Sequence, residues 1–172
     1  HCHLEMGGKN VIIVMDDAKL ELAVDGAVWG GFGTTGQRCT AASRVVVHEQ
    51  VYDQFLERFV GRARQLVVGD GRQAGVQMGP SIHEQQLEKV VEYVGIGQAE
   101  GARLVLGGAR LTQGAHARGC FHEPTIFAGV TPSVRIAQEE IFGPVVSVIK
   151  VRSLDEAIAL ANDVAYGLSA AI

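Results

Sequence analysis

Asn10-Val11-Ile12-Ile13-Val14-Met15 is a short, unbroken apolar run, and its reading sets the fold. A run of this length with no polar alternation is the pattern of a strand buried on both faces, as in a parallel sheet covered by helices. Asp16-Asp17 then offers a helix N-cap, and Lys19 to Trp29 repeats apolar residues at helical spacing: Leu20, Ala23, Val24, Ala27 and Val28. Gly30-Gly31-Phe32-Gly33 is expected to loosen the chain. Arg44 to His48 is a second β-branched strand, followed by an amphipathic helix with Val51, Phe55, Phe59, Ala63 and Leu66 on one stripe.

The alternation continues downstream. Gly69 to Pro80 is a glycine-rich loop, and Ile82 to Gly101 is a helix with Leu87, Val90, Val91 and Val94 inward. Arg103–Leu106 is a short strand, Leu111–Gly119 a polar loop, Glu123–Phe127 extended, and Val145–Val151 a strong strand. Ser153-Leu154-Asp155-Glu156 is a capping box opening a helix to about Asn162, and Ala170-Ala171-Ile172 resembles the start of another strand. Strands alternating with helices give an α/β fold with a largely parallel, twisted sheet flanked by helices.

Composition narrows the function classes. The 172 residues carry 47% hydrophobic and 20% charged residues and a net charge of −4. That is the profile of an ordinary globular protein. No basic block points to nucleic acid, and no apolar run reaches the length of a membrane span. Three widely spaced cysteines, Cys2, Cys39 and Cys120, are no disulfide framework, which predicts a reducing, cytoplasmic compartment. His1-Cys2-His3 lacks neighbours that would complete a metal set, so no metal is expected there.

Three segments carry candidate chemistry. In Gly36-Gln37-Arg38-Cys39-Thr40 a thiol sits in a glycine-bearing polar turn just before a strand, next to an arginine. Such a cysteine is a nucleophile candidate, or equally a small buried hydrophobe. In Leu4-Glu5-Met6-Gly7-Gly8-Lys9-Asn10 a carboxylate lies beside a glycine pair at a strand entrance. It reads as a general base or as an exposed acid at a turn. In Gln138-Glu139-Glu140-Ile141-Phe142-Gly143-Pro144, adjacent acids precede an aromatic and a Gly-Pro turn. A carboxylate there suits a ribose diol and the aromatic a flat heterocycle, or both are ordinary helix-end and core residues.

Together, in this order and at these separations, the three segments resemble the motifs of the aldehyde dehydrogenase superfamily. Asn162-Asp163 and Tyr166-Gly167-Leu168-Ser169 are similar to the family's segment beyond them. The resemblance implies oxidation of an aldehyde with NAD or NADP. Cys39 would attack the carbonyl to give a thiohemiacetal, then a thioester, and Glu5 would activate the hydrolytic water. Glu140 would hold the nicotinamide ribose, Phe142 would pack near the nicotinamide, and Gln86 and Lys89 would reach the adenosine ribose. Arg38 and Thr40 would shape the aldehyde pocket, with a surface or structural ion pair as the other reading of Arg38. Gly-Gln-Arg-Cys-Thr and Arg135-Ile136-Ala137-Gln138 look similar to branches acting on semialdehydes of dicarboxylic acids.

The family's members are nearly three times as long. Residues 1–172 are therefore expected to be an incomplete catalytic domain, lacking the nucleotide-binding domain and the oligomerisation strand. The implied parent is a homo-dimer or tetramer. The chain alone is expected to bind no cofactor tightly and to be inactive as a dehydrogenase. The alternatives are a cofactor-independent thiol esterase or a catalytically silent fragment.

Overall fold

The computed structural model describes residues 1–172. Its centre is a six-stranded sheet in the order β3-β6-β7-β2-β1-β8, with β1 Asn10–Val14, β2 Ala42–His48, β3 Arg103–Leu106, β6 Thr125–Ala128, β7 Val145–Val151 and β8 Ala170–Ala171. All neighbours run parallel except the edge pair β3 and β6. A separate antiparallel pair joins β4 Arg110–Leu111 to β5 Phe121–His122. Helices α1 Leu20–Phe32, α2 Tyr52–Arg64, α3 Glu84–Ala99, α4 Arg135–Gln138 and α5 Leu154–Asn162, with a short 3-10 helix at Gly114–Arg118 inside the expected polar loop, complete the regular structure.

Side chains alternate across a sheet, so each central strand feeds two cores. On one face Val14, Val45, Val47, Val146 and Val148 meet α1 and α2 through Val24, Val28, Phe32, Phe55 and Phe59. The phenylalanines stack, with ring centroids 5.5 Å apart for Phe55–Phe59 and 6.0 Å for Phe32–Phe59. On the other face Val11, Ile13, Val46, Val145 and Ile149 meet α3, α4 and α5 through Val90, Val94, Ile136, Ala157 and Leu160. This burial on both faces is the reason β1 reads as a continuous apolar run and β2 carries Val45-Val46-Val47.

Several local expectations change. Lys19, not Asp16 or Asp17, is the N-cap of α1, and it makes no side-chain cap bond. Gly30–Phe32 stays helical because Gly31 lets α1 approach β7; a Cβ there would lie 2.6 Å from Val146 Cγ2. Val91 is 42% exposed, while Tyr93 takes the inward position with Leu87, Val90 and Val94. Leu66 lies beyond the end of α2. The short helix α4 was hidden in Arg135–Gln138, which is too brief to show a helical period. The capping box is present: Ser153 accepts from the Glu156 N–H at 3.2 Å, and Glu156 accepts from the Arg152 N–H at 2.7 Å.

No helix is long and apolar enough to cross a membrane. No group of three or more His, Cys, Asp or Glu side chains is arranged to hold a metal ion.

Candidate active site

Each chemistry-bearing segment immediately precedes a strand: residues 4–9 lead into β1, residues 36–41 into β2 and residues 139–144 into β7. Those strands are neighbours and run parallel, in the order β7-β2-β1. Their entrances therefore lie side by side at one edge of the sheet.

Backbone contacts join the three entrances. The Gly8 N–H donates to Glu140 Oε1 at 2.8 Å. A Cβ on Gly8 would collide with the Cys39 carbonyl, and one on Gly36 with the Gly143 carbonyl. Gly36 also has φ +64°, a conformation that favours glycine. Asn10 Nδ2 donates to the carbonyls of Cys39 at 2.6 Å and Ala41 at 2.9 Å. On its other side the cysteine turn is pinned to the loop before α3: Thr35 Oγ1 donates to Gly79 O at 3.1 Å, Gln37 Nε2 to Pro80 O at 3.1 Å, and Gln37 Oε1 accepts from Ile82 N at 2.9 Å.

Cys39 stands exposed on this braced turn. The N–H groups of Cys39 and Thr40 donate to no acceptor in the protein. A rigid turn with an exposed sulfur and unspent N–H donors can receive a carbonyl and the negative charge that develops on its oxygen. The buried-hydrophobe reading of Cys39 does not hold. Arg38 and Thr40 are exposed beside it, and Arg38 forms no ion pair. Arg38 lines a small pocket together with Gly36, Ala41, Glu140 and Phe142.

Glu5 lies on irregular backbone, exposed, two residues before the Gly7–Gly8 anchor. Gly8, three residues on, meets the Cys39 carbonyl; no hydrogen bond joins the Glu5 side chain to the cysteine turn. Glu140 is half-buried, with Oε1 spent on Gly8 and Oε2 beside Gly7, where a Cβ would lie 2.8 Å from it. Phe142 follows in left-handed backbone, φ +60°. Gln86 and Lys89, one turn apart on α3, also converge here. Gln86 Nε2 donates to the carbonyls of Ile141 at 3.0 Å and Phe142 at 2.9 Å, and Lys89 Nζ to that of Glu140 at 3.0 Å.

Two buried cations beneath the site were missed by sequence reading. Arg44 is only 2% exposed, and its guanidinium bonds four times to carbonyls: twice to Lys9 O at 2.8 and 3.0 Å, and to Leu160 O and Ala161 O at 3.0 Å. It thereby satisfies the last carbonyls of α5. Burial lowers its pKa to about 10. Lys9 is equally buried, and its Nζ has no hydrogen-bond partner. Burial, then the neighbouring Arg44 charge, lowers the Lys9 pKa to about 7, against the raising influence of Glu140 and Glu139. Both cations border a cleft of about 260 Å³ shared with Asn162, Tyr166 and Ser169. A lysine after Gly-Gly and an arginine opening a β-branched run look like surface residues; only the strand pairing shows that both are enclosed.

The family model described as "Aldehyde dehydrogenase family" matches residues 1–172. An alpha-ketoglutarate semialdehyde dehydrogenase of Haloferax volcanii is 53% identical over 168 residues, which are 98% of this chain and 34% of that protein. An alpha-ketoglutaric semialdehyde dehydrogenase of Bacillus subtilis (strain 168) is 47% identical over 169 residues, 98% of this chain and 35% of that protein. Among solved structures, a betaine aldehyde dehydrogenase of Staphylococcus aureus in complex with NAD+ aligns with TM-score 0.96 and 42% identity, over 98% of this chain and 33% of that one. The chain spans about a third of the length of the curated relatives it matches.

Proposed function

The chain belongs to the aldehyde dehydrogenase family, and from that premise we propose that residues 1–172 are an incomplete, cysteine-bearing catalytic domain of an NAD(P)-dependent aldehyde dehydrogenase. The substrate class we propose is a semialdehyde of a dicarboxylic acid, supported by the two semialdehyde dehydrogenases among its relatives. The observation that carries the reading is the exposed Cys39 thiol on a braced turn with unspent N–H donors.

The Cys39 sulfur, as the thiolate, forms a bond to the aldehyde carbon as the C=O π bond breaks, and the carbonyl oxygen becomes an oxyanion held by the free N–H of the turn. When bound, NAD(P)+ supplies the acceptor for the hydride that leaves this thiohemiacetal. Residue-level fit supports that partner: Glu140 presents a half-buried carboxylate with Oε2 unbonded, suited to a ribose diol, and the Phe142 ring follows it on a fixed turn. Loss of hydride leaves a thioester on Cys39. Glu5 takes a proton from water as the water oxygen attacks the thioester carbon, the C–S bond breaks to release a carboxylic acid and the Cys39 thiolate, and Glu5 returns its proton to solvent. Arg38, exposed and free of any carboxylate partner, would attract the anionic tail of a semialdehyde.

The test uses the full-length protein carrying this chain, supplied with 2-oxoglutarate semialdehyde or betaine aldehyde and NAD or NADP. Reduced cofactor should form fastest with the semialdehyde and vanish in Cys39→Ser. Glu5→Gln should release one equivalent of reduced cofactor per subunit and then stall at the acyl-enzyme. Undiminished oxidation by Cys39→Ser would refute the assignment. Residues 1–172 alone should produce no reduced cofactor.

A further inference from the structure

We propose that Thr35 is a positioning residue for the nucleophile: its hydroxyl ties the Cys39 turn to the loop before α3 and holds that turn in a conformation its own backbone disfavours. The inference rests on the reading above, in which Cys39 attacks the aldehyde.

Thr35 is β-branched, yet it has φ +59°, and Gly36 after it has φ +64°. Glycine adopts this left-handed backbone freely. In a β-branched residue Cβ crowds the following carbonyl, so the conformation persists only where the surroundings over-determine it. Here they do. The Thr35 N–H donates to the Phe32 carbonyl at 2.8 Å, and Phe32 is enclosed at the end of α1, stacked on Phe59. The Thr35 side chain is buried, and Oγ1 donates to Gly79 O at 3.1 Å. Gly36 is held from its other side by the Gly143 carbonyl.

The loop is a firm partner. Met78 is enclosed in the core, its carbonyl accepts from Gly69 N–H at 3.0 Å and its N–H donates to Val67 O at 3.2 Å. Ser81 N–H donates to Cys120 O at 2.8 Å. The Gly79 carbonyl between them receives no backbone N–H, and Thr35 is its donor. Two tight turns then carry the tie to the sulfur. The first is closed by Gln37 N–H on Thr34 O at 3.0 Å and has Thr35 and Gly36 at its centre. The second is closed by Ala41 N–H on Arg38 O at 3.0 Å and has Cys39 and Thr40 at its centre, which leaves their N–H groups unspent. A shift at Thr35 is therefore passed through Gln37 and Arg38 to the attacking atom and to the oxyanion donors together.

Thr35→Val keeps the branched shape and removes the donor. In the full-length protein it should lower kcat by about tenfold or more, since small misplacements of reacting groups cost rates of this order. Amide exchange at Gln37 and Ala41, whose N–H groups close the two turns, should quicken in the cofactor-free protein while β2 stays protected. A merely destabilising change would quicken β2 as well. Thr35→Ser keeps the hydroxyl and should recover most of the parent's kcat and its slow exchange. Gln37→Leu removes the two further bonds to the same loop, at 3.1 and 2.9 Å, and should reproduce the Thr35→Val pattern, which keeps the test alive if Thr35→Val does not fold. Parent-like kcat in Thr35→Val, a loss shared equally by Thr35→Ser, or unchanged exchange at Gln37 and Ala41 would overturn the assignment. Exchange is read without turnover, so failure of the tie is distinguishable from failure of the proposed dehydrogenase, which Cys39→Ser reports.

Discussion

Asn10 donates to the Cys39 carbonyl at 2.6 Å, so the first residue of β1 holds the turn that presents the thiol. The same side chain also serves the Ala41 carbonyl at 2.9 Å and, through Oδ1, the Ser169 N–H at 3.0 Å. One buried amide thus ties together the approaches to β1, β2 and β8.

Asn10→Leu keeps the volume and strips three backbone groups of their partner. Each loses a net hydrogen bond and faces some desolvation, which sets the expected loss of stability at about 2–4 kcal/mol. Asn10→Asp should cost more, because a carboxylate would face the two carbonyls now bonded to Nδ2. Urea unfolding of the three proteins checks the order Asn, Leu, Asp. Equal stability of Asn10→Leu and the parent would show that the bonds carry no net weight.

Glycines at the site and glycines on the helices should respond with opposite sign. Gly26 in α1 and Gly61 in α2 have open space where a Cβ would go. Alanine there should stabilise by about 0.5–1 kcal/mol each, through helix propensity and a less free unfolded chain. Gly36 combines φ +64° with backbone contact to Gly143, so Gly36→Ala should unfold the cysteine turn or the whole domain. Melting temperatures of the three variants test this. A rise for Gly36→Ala would contradict the packing of the two motifs.

The fold was legible because its decisive strands are buried on both faces. Asn10–Val14, Ala42–His48 and Val145–Val151 each write that burial as an apolar, β-branched run, and the helices between them carry clear stripes. The candidate site was half legible. Each motif stood just before a strand, but only the order β7-β2-β1 makes those entrances adjacent, and strand order is a long-range property. Gln86 and Lys89 could be picked out on α3, yet not their bonds to the carbonyls of residues 140–142, since a bond to backbone leaves no trace in the partner's side chain. Helix α4 has four residues, too few for a period, and Lys9 and Arg44 were hidden because charged residues are so seldom enclosed.

The buried Lys9 amine makes stability depend on pH in a defined direction. Burial and the Arg44 charge lower its folded pKa from 10.5 to about 7. Between these values the unfolded chain holds a proton that the folded chain has released, so this group makes stability rise with pH across that window. Below pH 7 both states are protonated and the full penalty of an enclosed ammonium is present; above pH 10.5 the penalty is gone. Lys9→Met should therefore stabilise by roughly 4 kcal/mol near pH 6 and by little near pH 10.5. Unfolding curves of the two proteins at both pH values give the comparison. A difference that does not change with pH would place the Lys9 nitrogen in a hydrated site instead.

The three thiols should separate by rate of alkylation. Cys2 and Cys39 are exposed, whereas Cys120 is half-buried and its Sγ lies 3.6 Å from Glu84 Oε2. Burial, the bond to Glu84 and the Glu84 charge all raise the Cys120 pKa, against a smaller lowering by Arg110. Thiolate is the form that reacts, so iodoacetamide at neutral pH should modify Cys2 and Cys39 well before Cys120. Glu84→Gln removes the charge that opposes the thiolate and leaves Arg110, which now pairs with Glu84, free to favour it. Cys120 should then react severalfold faster with the Cys39 rate unchanged, because Glu84 makes no contact with the cysteine turn. Peptide mass spectrometry over a time course reads all three sites at once. A Cys39 rate as slow as that of Cys120 would mean that the sulfur is shielded, and the exposed nucleophile on which the proposed chemistry depends would be lost.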